Sequence, residues 1–351
     1  MRKRSTRTFL PNKKTAYAFA VLFLTAAVFI GTAVGTIHVP FRQIAAILAH
    51  HIIGTAVQVD PSIDNIVWEI RFPRVVLAGL IGASLAVAGA AFQGLLRNPL
   101  ADPYTLGVSS GASVGAVLVL FFHVSIPFLG GFTLPVVSVV TAVLTIFGVL
   151  LFAQAIERSM KLETIILTGI IFSSFLGSFI SLMIALTGEE LRQIINWLLG
   201  SVSMRGWPYV QLMLPFFIGG SLLLLFLAPE LNAMSFGEEK AKHLGVNVQR
   251  KKMMVLIAGS VLTGAAVAVS GTIGFVGLVI PHFVRLLIGP DHRHLLPLSM
   301  IAGGGFLIIA DLTARTIISP TELPIGVITS IVGAPVFALI LLNRKRKGGV
   351  A

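Results

Sequence analysis

Residues 71–116 read RFPRVVLAGLIGASLAVAGAAFQGLLRNPLADPYTLGVSSGASVGA. The apolar run over about 73–96 is long enough to cross a bilayer, which takes roughly 20 mostly apolar residues. It stops at a polar stretch holding Arg97, Asn98, Pro99, Asp102 and Pro103, and apolarity resumes near Tyr104. Two spans joined by a turn follow from this pattern. The prolines end one helix and start the next. Gly107, Gly111 and Gly115 then recur every four residues, giving the next span one smooth face for close packing.

The same pattern repeats along the chain. Of 351 residues, 56% are hydrophobic and 11% are charged, where soluble domains carry roughly 25% charged residues. The class is all-α and polytopic. A transmembrane barrel would alternate apolar and polar residues over segments of about 10, and the runs here are unbroken. Ten spans fit the hydropathy: 15–36, 73–96, 104–122, 134–156, 163–187, 208–228, 253–271, 274–289, 296–316 and 324–342. The eighth is short and holds Gly274, Gly277 and Pro281, the composition of a broken helix lined by protein. The run from Thr15 is too long for a signal-peptide core and reads as a retained first span.

Lys and Arg set the orientation. With both termini cytoplasmic, the inner segments hold 20 of the 26 Lys and Arg, in the tails 1–14 and 343–351, the 229–252 loop and the shorter inner turns. The outer side keeps six: Arg42, Arg71, Arg74, Arg192, Arg205 and Arg315. The net charge of +12 thereby faces anionic headgroups, and no nucleic-acid partner is needed to explain it. The chain has no cysteine, so disulfides and thiolate metal sites are excluded.

Two segments resemble each other: GASLAVAG at 82–89 and GAAVAVSG at 264–271. They lie in spans of opposite direction, as an inverted-topology repeat requires. Shared Gly/Ala packing is the alternative source of the likeness.

The opening stretch is followed, in order, by NWLLGS (196–201), GEEKAKHLGV (237–246), GTIGFVGLVIPHFVRLLIGPDHRHLLPLS (271–299), ADLTAR (310–315) and ELPIGVITSIVGAPVFALILL (322–342). The ordered set, over about 41–342, resembles the permease subunit of ABC importers for iron-siderophores, haem and cobalamin. The resemblance implies a single permease domain over 1–351, in the bacterial plasma (inner) membrane. Its implied partners are a second permease, two cytoplasmic ATPase subunits and an extracytoplasmic binding protein. ATP and Mg would belong to the ATPase, since no phosphate loop occurs here, and this chain would carry no cofactor and no catalytic residue.

Site residues follow from the same resemblance. Gly237, Glu238, Ala241, Leu244 and Gly245 match the loop that seats in the ATPase. Ser235 and Glu238 have capping-box spacing, and Gly245 suits a helix terminator, predicting a cytoplasmic helix of about nine residues. Arg71, Arg74 and Arg315 match arginines that grip carboxylates of the binding protein, a task suited to guanidinium. Arg315 could instead pair with Asp311 four residues earlier. Asn98 and Leu100 match the inner constriction. Leu162 and Glu163 fall on a gate position but replace the small hydroxyl residues of cobalamin permeases, which mildly disfavours cobalamin; a ferric siderophore is the leading expectation, with cobalamin or haem as the alternatives. In the fifth span, Thr168, Ser173, Ser174, Ser178 and Ser181 are mild polar groups that would line a pathway or pack helices. The histidines, His38, His50, His51, His282 and the HRH at 292–294 included, lack the acidic neighbours of a chelating set. An ion-coupled secondary transporter would need a midplane ion cage, of which the sequence offers little.

Overall fold

The computed structural model describes residues 12–35, 37, 39–54, 59–158 and 160–348. The basic tail before Asn12, His38 and residues 349–351 lie outside the described residues, as do the side chains of 340, 341 and 343–348. In chain order the helices are α1 (Lys13–Ala33), α2 (Phe41–Ile53), α3 (Pro61–Asn65), α4 (Phe72–Leu95), α5 (Val108–Phe121), α6 (Thr133–Ile156), α7 (Leu162–Leu186), α8 (Leu191–Leu198), α9 (Gly206–Phe226), α10 (Ala228–Met234), α11 (Glu238–His243), α12 (Val248–Ser270), α13 (Val276–Ile288), α14 (His292–Thr316) and α15 (Ile325–Gly348). No strand occurs among the described residues.

Seven helical stretches are long and apolar enough to cross a membrane: α1, the run from α3 through α4, the run ending in α6, α7, α9, α12 and α14. The third, eighth and tenth expected spans are shorter apolar helices, α5, α13 and the Ile325–Leu339 part of α15. The third was expected from residue 104. It starts as a helix only at Val108, because Pro103–Leu106 forms a 3₁₀ turn and Gly107 breaks it at φ +79°.

The two repeat segments become the most enclosed parts of the bundle. Residues 81–95 of α4 and 262–270 of α12 are buried throughout. Small residues make this possible. A Cβ on Gly82 would lie 2.2 Å from the Gly303 carbonyl oxygen on α14, and one on Gly89 would lie 1.9 Å from that of Gly277 on α13. Backbones touch there, and van der Waals packing takes the place that the hydrophobic effect holds in water. Gly111 and Gly115 of α5 press on Thr145 and Thr141 of α6, whereas Gly107 turns to Gly169 and Ser173 of α7.

Around this core α7 remains largely exposed, with only Ile165, Thr168, Gly169 and Met183 buried. A π-helical segment, Ile66–Arg71, leads into α4. There the Trp68 carbonyl accepts from Trp207 Nε1 at 2.8 Å, and Trp68 stacks on His51 at 4.2 Å. Such aromatic groups suit the membrane–water interface.

Candidate translocation site and coupling surface

Two half-length helices start inside the bundle. After α4 the chain turns at Leu96–Ala101 and climbs back. A Cβ on Gly277 would lie 3.3 Å from Pro103 Cδ and 2.8 Å from the Leu85 carbonyl oxygen, so Pro103 sits well up the length of α4. The 14-residue α5 follows. The 13-residue α13 is preceded by an irregular stretch, 271–275, with Phe275 at φ +68°. Helix starts carry free N–H groups and partial positive charge. Interrupted helices that begin at mid-depth are a device of transporters. Tyr104 joins the two breaks: its hydroxyl donates to the Ile273 carbonyl at 2.8 Å and accepts the Ile273 N–H at 3.2 Å.

The end of α8 and the start of α15 converge on the second break. Ser201 N–H donates to the Ser270 carbonyl at 2.7 Å, and Ile325 N–H to that of Gly200 at 3.0 Å. The Thr272 hydroxyl donates to the Leu198 carbonyl. A cleft of about 310 Å³ opens beside them, lined by Leu198, Thr272, Gly274, Gly326 and Ser330 among others.

The hydroxyl residues of α7 divide. Ser174, Ser178 and Ser181 share an exposed face. Ser178 donates to the Ser174 carbonyl and Ser181 to that of Gly177, so their protons are satisfied on their own helix. Ser173 instead turns inward beside Gly107, and Thr168 is fully buried.

In the turn after α4, Asn98 accepts the Leu100 N–H at 2.9 Å, and Leu100 is exposed. Glu163 is exposed, while Leu162 rests partly against the core. The segment before α12, expected to couple to the ATPase, holds two short helices, α10 and α11, where one of about nine residues was expected. The capping box does not form: Ser235 donates to the Asn232 carbonyl at 2.7 Å, and Gly237, at φ +112°, precedes α11 without a side-chain cap. Gly245 does end the helix, at φ +84°. Its N–H bonds the Lys242 carbonyl and the Val246 N–H bonds that of Ala241, the Schellman pattern. Ala241 is fully buried against the rest of the chain, and Leu244 is 69% exposed. The outward apolar contact of α11 is therefore Leu244.

Arg71, Arg74 and Arg315 line one cleft of about 390 Å³ with Gly35, Ser319 and Glu322. Each is already engaged. Arg71, 6% exposed, donates to the carbonyls of Thr32, Ala33 and Ile37, closing the C-terminal end of α1. Arg74 grips Asp311 through Nε and Nη2 at 2.9–3.1 Å and reaches Glu322 at 2.8 Å. Arg315 lies 3.7 Å from Asp311, the pairing its spacing allowed, and also bonds the Gly31 carbonyl. Burial pushes the Glu322 carboxyl up, but the Arg74 hydrogen bond and charge outweigh it and hold it below the ordinary range.

The FecCD transport family profile matches residues 22–343. The chain belongs to the FecCD transport family. Family relatives span nearly its whole length. It is 60% identical to an ABC transporter permease, YvrB of Bacillus subtilis strain 168, over 99% of both chains. It is 42% identical to the cobalamin import permease BtuC of Halobacterium salinarum, over 80% of this chain and 74% of that one. It is 39% identical to the hemin transport permease HmuU of Yersinia pestis, over 83% and 88%. A solved structure described as an inward-facing ABC transporter of metal-chelate type superposes with a TM-score of 0.80 at 31% identity, covering 95% of this chain and all of that one. This FecCD member is thus an ABC transporter permease and a multi-pass protein of the inner membrane.

Sequence reading missed Tyr104, Glu322 and Lys252. Glu322 lies in a quoted motif, and its charge near the outer arginines was a usable signal. Nothing local marked the other two, because a hydroxyl and an ammonium at helix ends are ordinary. No group of three or more metal-capable His, Cys, Asp or Glu residues occurs among the described residues.

Proposed function

We propose that this chain is the permease of an ATP-driven importer that carries a ferric siderophore. It works as a pair with a second permease, on two ATPase subunits that hold ATP and Mg, and receives cargo from an extracytoplasmic binding protein. Ten crossings, both termini inside and an inverted repeat of the α4 and α12 units are part of this reading. The observation that carries it is the pair of half-helices starting within the bundle, at corresponding places after α4 and α12. On α7, which packs against α5, the exposed hydroxyl face offers weak, renewable contacts to a large polar chelate, as a route that must release its cargo requires.

Asn98, Leu100, Leu162 and Glu163 form the inner gate in this reading, and Ser173, Ser174 and Ser178 belong to the pathway helix. Gly237, Glu238, Ala241, Leu244 and Gly245 form the ATPase seat, with Leu244 as the contact and Ala241 as the anchor. Arg71, Arg74 and Arg315 present positive charge to the binding protein's carboxylates. Asp311 and Glu322 offset part of the charge of Arg74 and Arg315, whereas Arg71 meets only neutral carbonyls, so the attraction is the net positive charge of the three together.

Uptake into proteoliposomes tests the reading. Radio-iron siderophore should enter only with the binding protein, the ATPase and ATP all present. Uptake by the permease alone, on a proton or sodium gradient, refutes it. Cobalamin or haem entering in place of the siderophore corrects the substrate; the names of BtuC and HmuU make these the alternatives to run.

A further inference from the structure

We propose that Lys252 is the positioning residue that ties the coupling helix to the inner gate, so that the two move as one body. The inference rests on the reading of α11 as the ATPase seat and of the start of α7 as the gate.

Lys252 lies near the inner end of α12, in the basic run Arg250-Lys251-Lys252. Its neighbours behave as inner-face charges usually do. Arg250 is exposed, and Lys251 pairs with Glu230 of α10 while keeping some contact with solvent. Lys252 instead turns inward and is 1% exposed. A buried ammonium is costly unless its charge and protons are matched. Here it is matched by two different elements. Its Nζ lies 2.7 Å from Glu238 Oε1, on the first residue of α11, and 3.1 Å from the Met160 carbonyl oxygen.

Met160 belongs to the bend that launches α7. It is buried and held at φ +47°, a backbone state a non-glycine residue keeps only where its surroundings enforce it. The bend is fastened to α7 itself: Glu157 pairs with Lys161 at 2.6 Å and accepts from the Thr164 hydroxyl at 2.9 Å. Leu162 and Glu163 are the next residues of that unit. On the other flank, Arg97 of the α4–α5 turn lies beside Gly237, where a Cβ would come 3.7 Å from Nη1. One ammonium thus bridges the element that would feel the ATPase and the element that would open the path. Ala241 is fully buried and packs α11 into the main apolar core.

The natural chain has no cysteine, so single labels can be placed directly. Spin labels go on Glu239 of α11, Leu167 of α7 and Phe128 of the α5–α6 loop, all exposed, in the full transporter with its ATPase subunits in nanodiscs. Distances are read without nucleotide and after trapping with Mg-ATP and vanadate. In the unmutated protein, 239 and 167 should both shift relative to 128 while their mutual distance holds. In Lys252→Met, 239 should still shift and 167 should lose its shift. Lys252→Arg should restore it. Glu238→Ala, which cuts the α11 leg, should repeat the loss at 167 while 239 still shifts, the sign that the ATPase remains seated, and serves if the Met variant misfolds. An unchanged shift at 167 in Lys252→Met or in Glu238→Ala overturns the linkage. A label at 239 that never shifts in the unmutated transporter refutes the seat on α11, and the linkage falls with it.

Discussion

The Tyr104 hydroxyl holds both backbone groups of Ile273, giving its proton to the carbonyl at 2.8 Å and taking the N–H at 3.2 Å. These residues stand 169 positions apart, one in each of the two helix breaks. Ile273 is fully buried, so no solvent replaces the hydroxyl. Tyr104→Phe should cost about 1–3 kcal/mol, the penalty for orphaned buried polar groups, measured as a lowered thermal midpoint in detergent. Tyr104→Phe with an unaltered midpoint would mean that the breaks are held by other contacts.

Glycine spacing makes a sharper contrast. A Cβ on Gly89 would stand 1.9 Å from the Gly277 carbonyl oxygen, whereas one on Gly177 would meet nothing within 4 Å. Gly89→Ala should destabilise by at least about 1–3 kcal/mol, as overpacking does, and lower the yield of folded protein. Gly177→Ala should be neutral or slightly stabilising, since glycine in a helix interior costs about 0.5–1 kcal/mol against alanine. Size-exclusion profiles and midpoints of the two variants decide it.

Asp311 is 1% exposed and stands between Arg74 and Arg315. Asp311→Ala should cost about 3–5 kcal/mol, because it strands buried positive charge. Glu322→Gln should cost less, since Glu322 is partly exposed and Arg74 keeps Asp311. An equal loss from both substitutions would contradict the division of roles.

Acid should loosen the arginine cleft through Glu322. Its carboxyl is held below the ordinary range by Arg74, against the upward push of burial. A depressed acid contributes stability above its unfolded value, about 4.3, and loses it as pH falls through the folded value. The midpoint difference between the unmutated protein and Glu322→Gln should therefore be constant near pH 7 and shrink below about pH 4.3. A difference that grows in acid would reverse the assigned sign.

Leu244 and Gly245 separate binding from folding. Leu244 is 69% exposed, so Leu244→Arg should alter the permease's own stability by no more than about 0.5 kcal/mol yet abolish co-purification of the ATPase. Gly245, at φ +84°, ends α11. Gly245→Val should cost about 1–2 kcal/mol, the penalty for a side chain in left-handed backbone, and disorder α11. Full ATPase capture by Leu244→Arg would move the seat elsewhere.

Apolar run length and charge determined much by themselves: an all-helical membrane chain, and the place of each long helix. A helix in lipid must satisfy its own backbone, so span and sequence correspond closely there. The Gly245 stop was also legible, because left-handed backbone selects glycine within a few residues. Local pattern failed at Ser235, whose hydroxyl found the Asn232 carbonyl in place of the α11 start. It failed at residue 104, where the chain re-enters the bundle as a 3₁₀ turn and delays the helix to Val108. The outer arginines were visible as residues, but their present partners, the α1 carbonyls, Asp311 and Glu322, come from elements far away in the chain. The same holds for Lys252, one more basic residue in an inner-face run until α11 and the Met160 bend close over it. Only tertiary structure decides such points. A buried charge or hydroxyl is satisfied by whichever distant group the packing delivers, and no local pattern encodes that partner.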